Sequence, residues 1–273
     1  MEPIPLDQWY CHRETSGLTT ISYFLPEESD AKLAVLRRYW NDKISNLEHV
    51  RIHKWGGTVK KIYLEEYGST IFFKRFSIRN PRYIHKPPRA RASVNQEEKL
   101  QQAKFYTAPA IGLIEKKTCG VVYDSVLIFE EMADFLPLHH FLNDGETRDA
   151  MNLNEQRRLA FALGRLIGAW HTAGFFHGDM HSGNIMCKLE NEEFFFGWID
   201  NEEGWQYTPL PMRRRVHDLD HMSRSYYDAP ATDRFRFWEA YARECGFDER
   251  FGCELMRKIA GMTKRYRARK NSR

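Results

Sequence analysis

No run in the sequence approaches the roughly 20 consecutive apolar residues that a membrane-spanning helix requires, so no span is expected. The five cysteines, Cys11, Cys119, Cys187, Cys245 and Cys253, are odd in number and scattered, without a C-x-x-C pair. That pattern excludes a disulfide framework and a zinc knuckle and is what a reducing cytoplasm favours. No internal repeat or low-complexity segment is present. The opening MEPIPLDQWYCHRE carries acids and no apolar segment, so it is not expected to act as a secretory leader. Acidic residues are missing from two long stretches, Tyr67 to Gln96 and everything after Glu254.

Those two stretches concentrate the positive charge. Across 273 residues, 41 basic against 37 acidic side chains leave a formal charge of +4, too small to imply a polyanionic partner. The first stretch, however, holds Lys74, Arg75, Arg79, Arg82, Lys86, Arg89 and Arg91. The second holds Arg257, Lys258, Lys264, Arg265, Arg267, Arg269, Lys270 and Arg273. Such blocks attract phosphate or an anionic membrane face. No nucleic-acid recognition motif accompanies them, so no nucleic acid partner is expected. The 42% apolar and 14% aromatic content is enough for a folded core.

The texture changes along the chain. Residues 1–25 show no clear period, and Ser29-Asp30 then caps an amphipathic helix, AKLAVLRRYW. From about His49 to Phe76, VRIHKW, TVKKIYLEEY and STIFFKRF read as strands separated by Gly56-Gly57 and Gly68. NPRYIHKPPRARAS, with three prolines, reads as a loop; ASVNQEEKLQQAKFY reads as a helix and GVVYDSVLIFEEM as strand. The second half is mainly helical. Asn152 or Asn154 caps a long helix, EQRRLAFALGRLIGAWHTAG, whose Leu159, Leu163, Leu166, Ile167 and Trp170 fall at helical spacing before Gly174 stops it. A strand pair, NIMCKL and FFFGWID, and two or three helices follow. Sheet first and helices second predicts an α+β, two-lobed fold with a hinge near Glu130 to Asp134. The expected parts are an extension with one helix over 1–44, a sheet lobe over 45–132 and a helical lobe over 133–273.

The chemistry-bearing segment is His177-Gly178-Asp179-Met180-His181-Ser182-Gly183-Asn184, followed by Trp198-Ile199-Asp200. Asp179 and Asn184 stand at the spacing of the kinase catalytic-loop pattern H-x-D-x-x-x-x-N, and Asp200 ends the next hairpin. Phosphoryl transfer from ATP needs an acceptor hydroxyl held in line, metal on the phosphates and cancellation of charge on the moving group. Asp179 is therefore the candidate base, and Asn184 and Asp200 the candidate ligands of Mg2+. Lys74, on an apolar strand, is the candidate phosphate-pairing lysine, with Glu97 or Glu98 of the next helix as its partner and Glu97 preferred. Gly56 and Gly57 occupy the place of a phosphate-covering turn, though an ordinary hairpin wants glycines as well. Backbone groups from Glu130 to Met132 are candidates for binding adenine.

The loop H-G-D-x-H-x-G-N resembles that of aminoglycoside and choline kinases, with His181 where protein kinases usually carry lysine. A sharper resemblance is to the bacterial lipopolysaccharide kinase family. It rests on the KRF strand, RARASVNQEE, LGRLIGAWHTAGFFHGD and the C-terminal RRRVHDLDHMSRS and TDRFRFWEAY, and spans roughly residues 45–245. It implies a protein-kinase-like fold, ATP and Mg2+. The implied activity is phosphorylation of a heptose or Kdo sugar of the lipopolysaccharide core, at the cytoplasmic face of the inner membrane. Alternatives are a small-molecule kinase of the aminoglycoside or choline type, a protein kinase or a non-catalytic pseudokinase. Asp200 is followed by Asn201-Glu202-Glu203 and not Phe-Gly, so a protein-kinase-type activation switch is not expected, and a metal role for Glu202 or Glu203 stays open.

Overall fold

The structure, a computed structural model, describes residues 5–42, 48–52, 58–65, 67–77, 88–143, 145–226 and 229–271. Gly56 and Gly57, like Arg79, Arg82 and Lys86, lie outside the described residues. The chain divides into two compact units, Met1–Ala133 and Asp134–Arg273.

In the first unit, β1 (Tyr10–Ser16), β2 (Thr19–Leu25), α1 (Asp30–Asp42), β3 (Glu48–Ile52), β4 (Thr58–Leu64), β5 (Ser69–Ser77), α2 (Arg89–Gln102), β6 (Ala110–Thr118) and β7 (Val121–Glu130) follow in order. The strands form one antiparallel sheet, ordered β1-β2-β6-β7-β5-β4-β3. Successive strand residues point to opposite faces, so β2, β5, β6 and β7 each feed two cores. Tyr23, Leu25, Ile71, Phe73, Ile114, Val126 and Ile128 join Leu33, Val35, Leu36 and Tyr39 of α1. Their neighbours Phe24, Phe76, Leu113 and Leu127 join Ala90 and Val94 of α2. The result is three layers, α1, sheet and α2.

Two expectations need correction. Residues 1–44 are not an extension apart from the sheet lobe, because β1 and β2 extend its sheet and α1 covers one face. Mixed polar and apolar residues hid the hairpin: β1 lies at the sheet edge with mostly exposed residues, so it carries little hydrophobic period. The proline-rich loop ends earlier than expected, since α2 begins at Arg89 directly after Pro88.

The α2 layer contains a buried charge. Glu115 of β6 is fully buried and meets Arg91 of α2 through two hydrogen bonds, Nε to Oε1 at 2.8 Å and Nη2 to Oε2 at 2.7 Å. Arg91 also stacks over the Phe24 ring at 4.9 Å. This arginine, expected to help attract an anionic substrate, is committed to an internal carboxylate instead. On the α1 face, Arg75 makes the equivalent paired contact with Asp124 and lies over Trp40.

The second unit contains β8 (Leu136–Pro137), α3 (His139–Leu142), α4 (Glu146–Asp149), α5 (Leu153–Thr172), β9 (Phe175–Phe176), β10 (Ile185–Glu190), β11 (Glu193–Trp198), β12 (Trp205–Gln206), α6 (Met212–Ser225), α7 (Ala231–Glu244) and α8 (Glu249–Asn271). Asn152 is the cap of α5: its side chain accepts from the backbone of Asn154 and Glu155, and its own backbone N–H donates to the Glu155 carboxylate. The helix buries Leu159, Leu163, Ile167 and Trp170. It packs on α7 through Gly164, where an added Cβ would lie 2.3 Å from the Phe237 carbonyl oxygen.

Among the described residues, removing Arg91 leaves the buried Glu115 carboxylate with Lys117, at 3.8 Å, as its remaining ion-pair partner. Arg91→Ala is expected to lower unfolding stability by about 3 kcal/mol in urea titration, the cost of a buried charge losing its partner.

Candidate active site

The segment from α5 to β10 is short and constrained. Trp170, near the end of α5, packs on Trp198 of β11 with ring centroids 4.0 Å apart. Between them the chain turns through β9 into His177, whose ring lies 5.7 Å from Trp198 and 6.1 Å from Trp170. Buried among aromatics, His177 uses both ring nitrogens. Its Nδ1 accepts the backbone N–H of Asp179 at 3.3 Å, and its Nε2 donates to the Ile199 carbonyl at 3.2 Å, which requires the tautomer protonated at Nε2.

Asn184 closes the circuit. Its Nδ2 donates to the Asp179 carbonyl at 3.0 Å, and its own carbonyl accepts the Ile199 N–H at 3.1 Å. Because the Asp179 carbonyl only accepts, the amide orientation is determined and Oδ1 is the acceptor end of the side chain. Asp200 comes next after the doubly held Ile199, in left-handed conformation at φ 62° and ψ 42°, and opens the 3₁₀ turn Asn201–Glu203. The structure thus brings Asp179, Asn184 and the backbone leading into Asp200 together within the second unit. Gly178, at φ 87°, passes against that turn; a Cβ there would stand 3.2 Å from the Glu203 carbonyl.

The anchor of the loop is Asp218 of α6, fully buried. Its Oδ2 accepts the His177 N–H at 2.8 Å and its Oδ1 the Gly178 N–H at 3.0 Å. His171 Nε2 stands 3.6 Å from Oδ2 and His217 Nδ1 3.6 Å from Oδ1. Burial pushes the Asp218 carboxyl upward, but its interactions with His171 and His217 outweigh that and hold it below the usual carboxylate range. His171 is held below the ordinary histidine range mainly by its own burial, and its Nδ1 meets the Tyr241 hydroxyl at 2.9 Å.

Asp179 is 54% exposed, and each carboxylate oxygen faces an imidazole. His221 Nδ1 of α6 is 3.4 Å from Oδ1, and His181 Nε2 is 3.6 Å from Oδ2. His181 is oriented by the loop itself, since its Nδ1 accepts the Gly183 N–H at 2.9 Å. Interaction with His221 is the main reason the Asp179 carboxyl drops from 3.8 to about 2; partial burial opposes it, and the nearby imidazoles of His181 and His177 add to it. The carboxylate is therefore ionised throughout the neutral range and ready to accept a hydrogen bond from a hydroxyl.

The oxygen donors of Asn184 and Asp200 suit a hard divalent cation such as Mg2+. Among the described residues no group of three or more His, Cys, Asp or Glu is arranged to enclose a metal.

In the first unit, Lys74 is 2% exposed and Glu97 7% exposed. Lys74 lies two residues before Phe76, opposite Leu127, and so points into the α2 layer; its Nζ is 5.2 Å from the Phe76 ring. Glu97 lies on the stripe of Ala90 and Val94 and enters the same layer, accepting from the Ser93 hydroxyl at 3.2 Å. Glu98 sits at the rim with Gln102. At the end of β7, the Glu130 N–H is taken by the Pro109 carbonyl and that of Glu131 by Thr70. Those two donors serve the sheet, which narrows any adenine contact to Met132 and the carbonyls of the segment.

Sequence reasoning missed Asp218, His221 and Ser225, the last accepting the Ser182 N–H at 3.3 Å. The available signal was a polar stripe at i, i+3 and i+7 in HDLDHMSRS, on a helix that also buries Val216, Leu219 and Met222. Asn at position 218 can accept only one of the two loop N–H groups, so Asp218→Asn is expected to cost about 2–4 kcal/mol at neutral pH. The wild-type ionic contribution is complete above the ordinary aspartate value near 3.8 and is lost as pH falls toward the depressed native value. The stability gap between the two proteins, measured by urea titration, should therefore narrow below about pH 4.

Comparison with known proteins follows the same line. No curated protein sequence matches the chain. A solved structure of WaaP in complex with acyl carrier protein is similar over 83% of this chain and 96% of its own, with a TM-score of 0.60 and 22% identity, which shows a shared fold. A Rio2 kinase-ADP/Mg2+-phosphoaspartate complex from Chaetomium thermophilum matches 86% of this chain and 76% of that one, at a TM-score of 0.45 and 14% identity. The mixed α and β architecture, antiparallel sheet before helices, is the one expected of a protein-kinase-like chain. The family model described as lipopolysaccharide kinase (Kdo/WaaP) matches residues 39–241. The chain belongs to that lipopolysaccharide kinase family and is a phosphotransferase that takes a hydroxyl group as acceptor.

Proposed function

We propose that the protein transfers the γ-phosphate of ATP to a hydroxyl of a lipopolysaccharide core sugar, a heptose or Kdo. The observation that carries this reading is the closed hydrogen-bond circuit through His177, Asp179, Asn184 and Ile199, which ends on the backbone of Asp200. In this reading Asp179 accepts the proton of the acceptor hydroxyl. Ionised across the neutral range, it first orients that hydroxyl and takes the proton as the bond to phosphorus forms. Asn184 Oδ1 and the Asp200 carboxylate hold Mg2+, which when bound offsets charge on the phosphate oxygens. Lys74 pairs with phosphate, and Glu97 in the same layer orients its ammonium. Met132 and the Glu130 carbonyl are the proposed contacts for adenine.

An anionic acceptor is supported by Arg89, exposed at the start of α2, and by the neighbouring basic residues of the sequence, but not by Arg91. The last two turns of α8 follow its final buried residue, Thr263, and expose Lys264, Arg265, Arg269 and Lys270. No helix among the described residues is long and apolar enough to cross a membrane. The basic turns support peripheral contact with anionic lipid, each charge contributing about 1 kcal/mol.

Incubation with labelled ATP and, separately, core oligosaccharide, an aminoglycoside and a generic protein tests the reading. Label is expected in the oligosaccharide, and label only in another acceptor would sink it. Asp179→Ala should lower turnover by about 100-fold to 10,000-fold with nucleotide affinity nearly intact, whereas Asp200→Ala should weaken Mg-nucleotide binding in calorimetry. Arg89→Glu should raise the KM for an anionic acceptor about fivefold, the equivalent of about 1 kcal/mol, and leave that for ATP unchanged.

A further inference from the structure

Helix α6 touches the catalytic loop along one stripe and at three successive points. Asp218 holds the His177 and Gly178 N–H groups, His221 faces the Asp179 carboxylate, and Ser225 takes the Ser182 N–H. The spacings i, i+3 and i+7 place all three on one side of the helix. The loop runs beside the helix, and each α6 side chain meets the loop residue level with it. Two of the contacts grip backbone. The middle one grips the side chain proposed to do the chemistry.

We infer that His221 is a positioning residue for phosphoryl transfer, fixing the rotamer of the Asp179 carboxylate from α6, the helix that also holds the loop backbone. The inference rests on the phosphotransferase reading with Asp179 as base. An aspartate more than half exposed would otherwise sample several χ1 wells and a broad χ2. Productive transfer needs its oxygen held within about 0.5 Å of one place. His181 faces the other oxygen but belongs to the same loop, whereas His221 reaches Asp179 from a separate helix. Its ring stacks on His217, with centroids 4.4 Å apart, and His217 in turn stands against buried Asp218 and the edge of Phe176 at 5.4 Å. The imidazole is thereby tied to the same anchor that holds the loop backbone, and carboxylate and backbone share one frame.

The test compares wild type with His221→Ala and His221→Asn, since the Asn amide nitrogen can occupy the place of Nδ1. His221→Ala is expected to lower kcat about 10-fold to 100-fold with little change in the KM for ATP, and His221→Asn to recover most of the loss. In 15N spectra of the wild-type chain, the His221 imidazole signals, assigned by their disappearance in His221→Asn, should shift on Asp179→Asn while those of His12 do not. An alanine variant with wild-type kcat overturns the inference. So does a loss of kcat that follows falling thermal stability and is not rescued by asparagine, because His221 would then be structural only. The 15N comparison needs no acceptor. If the wild-type protein transfers phosphate to none of the acceptors offered, the proposed function fails, and unmoved His221 signals would then sink the positioning contact separately.

Discussion

A carboxylate buried without solvent must take all of its hydrogen bonds from the protein, and Asp218 takes two of them from the consecutive backbone amides of His177 and Gly178. That requirement orders the second unit. Asp218 keeps its charge because His171 and His217 approach it from both sides, and His171 is itself held by Tyr241 of α7. The loop is therefore suspended from α6 and, through His171, tied to the α5–α7 packing. Each side chain of the circuit has one consistent donor and acceptor assignment, so the arrangement tolerates little rearrangement without leaving a polar group unpaired.

The same logic operates in the first unit with different residues. Its sheet is covered on both faces, so charges at inward positions of central strands must find partners within a layer. Glu115 finds Arg91 and Asp124 finds Arg75, both as paired contacts over an aromatic ring. Lys74 belongs to this group by position. Buried in the α2 layer beside the helix that carries Glu97, it follows from the strand parity that buries Phe76 and Leu127. A lysine there is costly to desolvate, and the proposed role in phosphate pairing gives that cost a purpose.

Reading the sequence alone recovered the features governed by short-range rules. Strand periods, a cap at Asn152 or Asn154, the glycine after α5 and the hairpin before Asp200 follow from propensity and spacing over a few residues. The edge hairpin β1–β2 escaped because its exposed outer strand lacks an apolar face, and β6 because one inward position of its strand is the buried Glu115. Arg91 reads as a free basic residue in any count of charge. Only its neighbour on another strand turns it into an internal counter-ion.

What the sequence determined by itself is the content of the proposed catalytic loop: Asp179 and Asn184 five residues apart, with Asp200 at the end of a short hairpin, are held near one another by covalent geometry and local hydrogen bonds. Tertiary structure decided which groups support that loop. Asp218, His221 and Ser225 lie some forty residues downstream, and their partnership with the loop exists only once α6 has packed alongside it. Pairing across such a distance depends on where two elements dock and not on the spacing within either. A stripe of polar residues on a helix shows that a partner exists, and the fold alone shows which one.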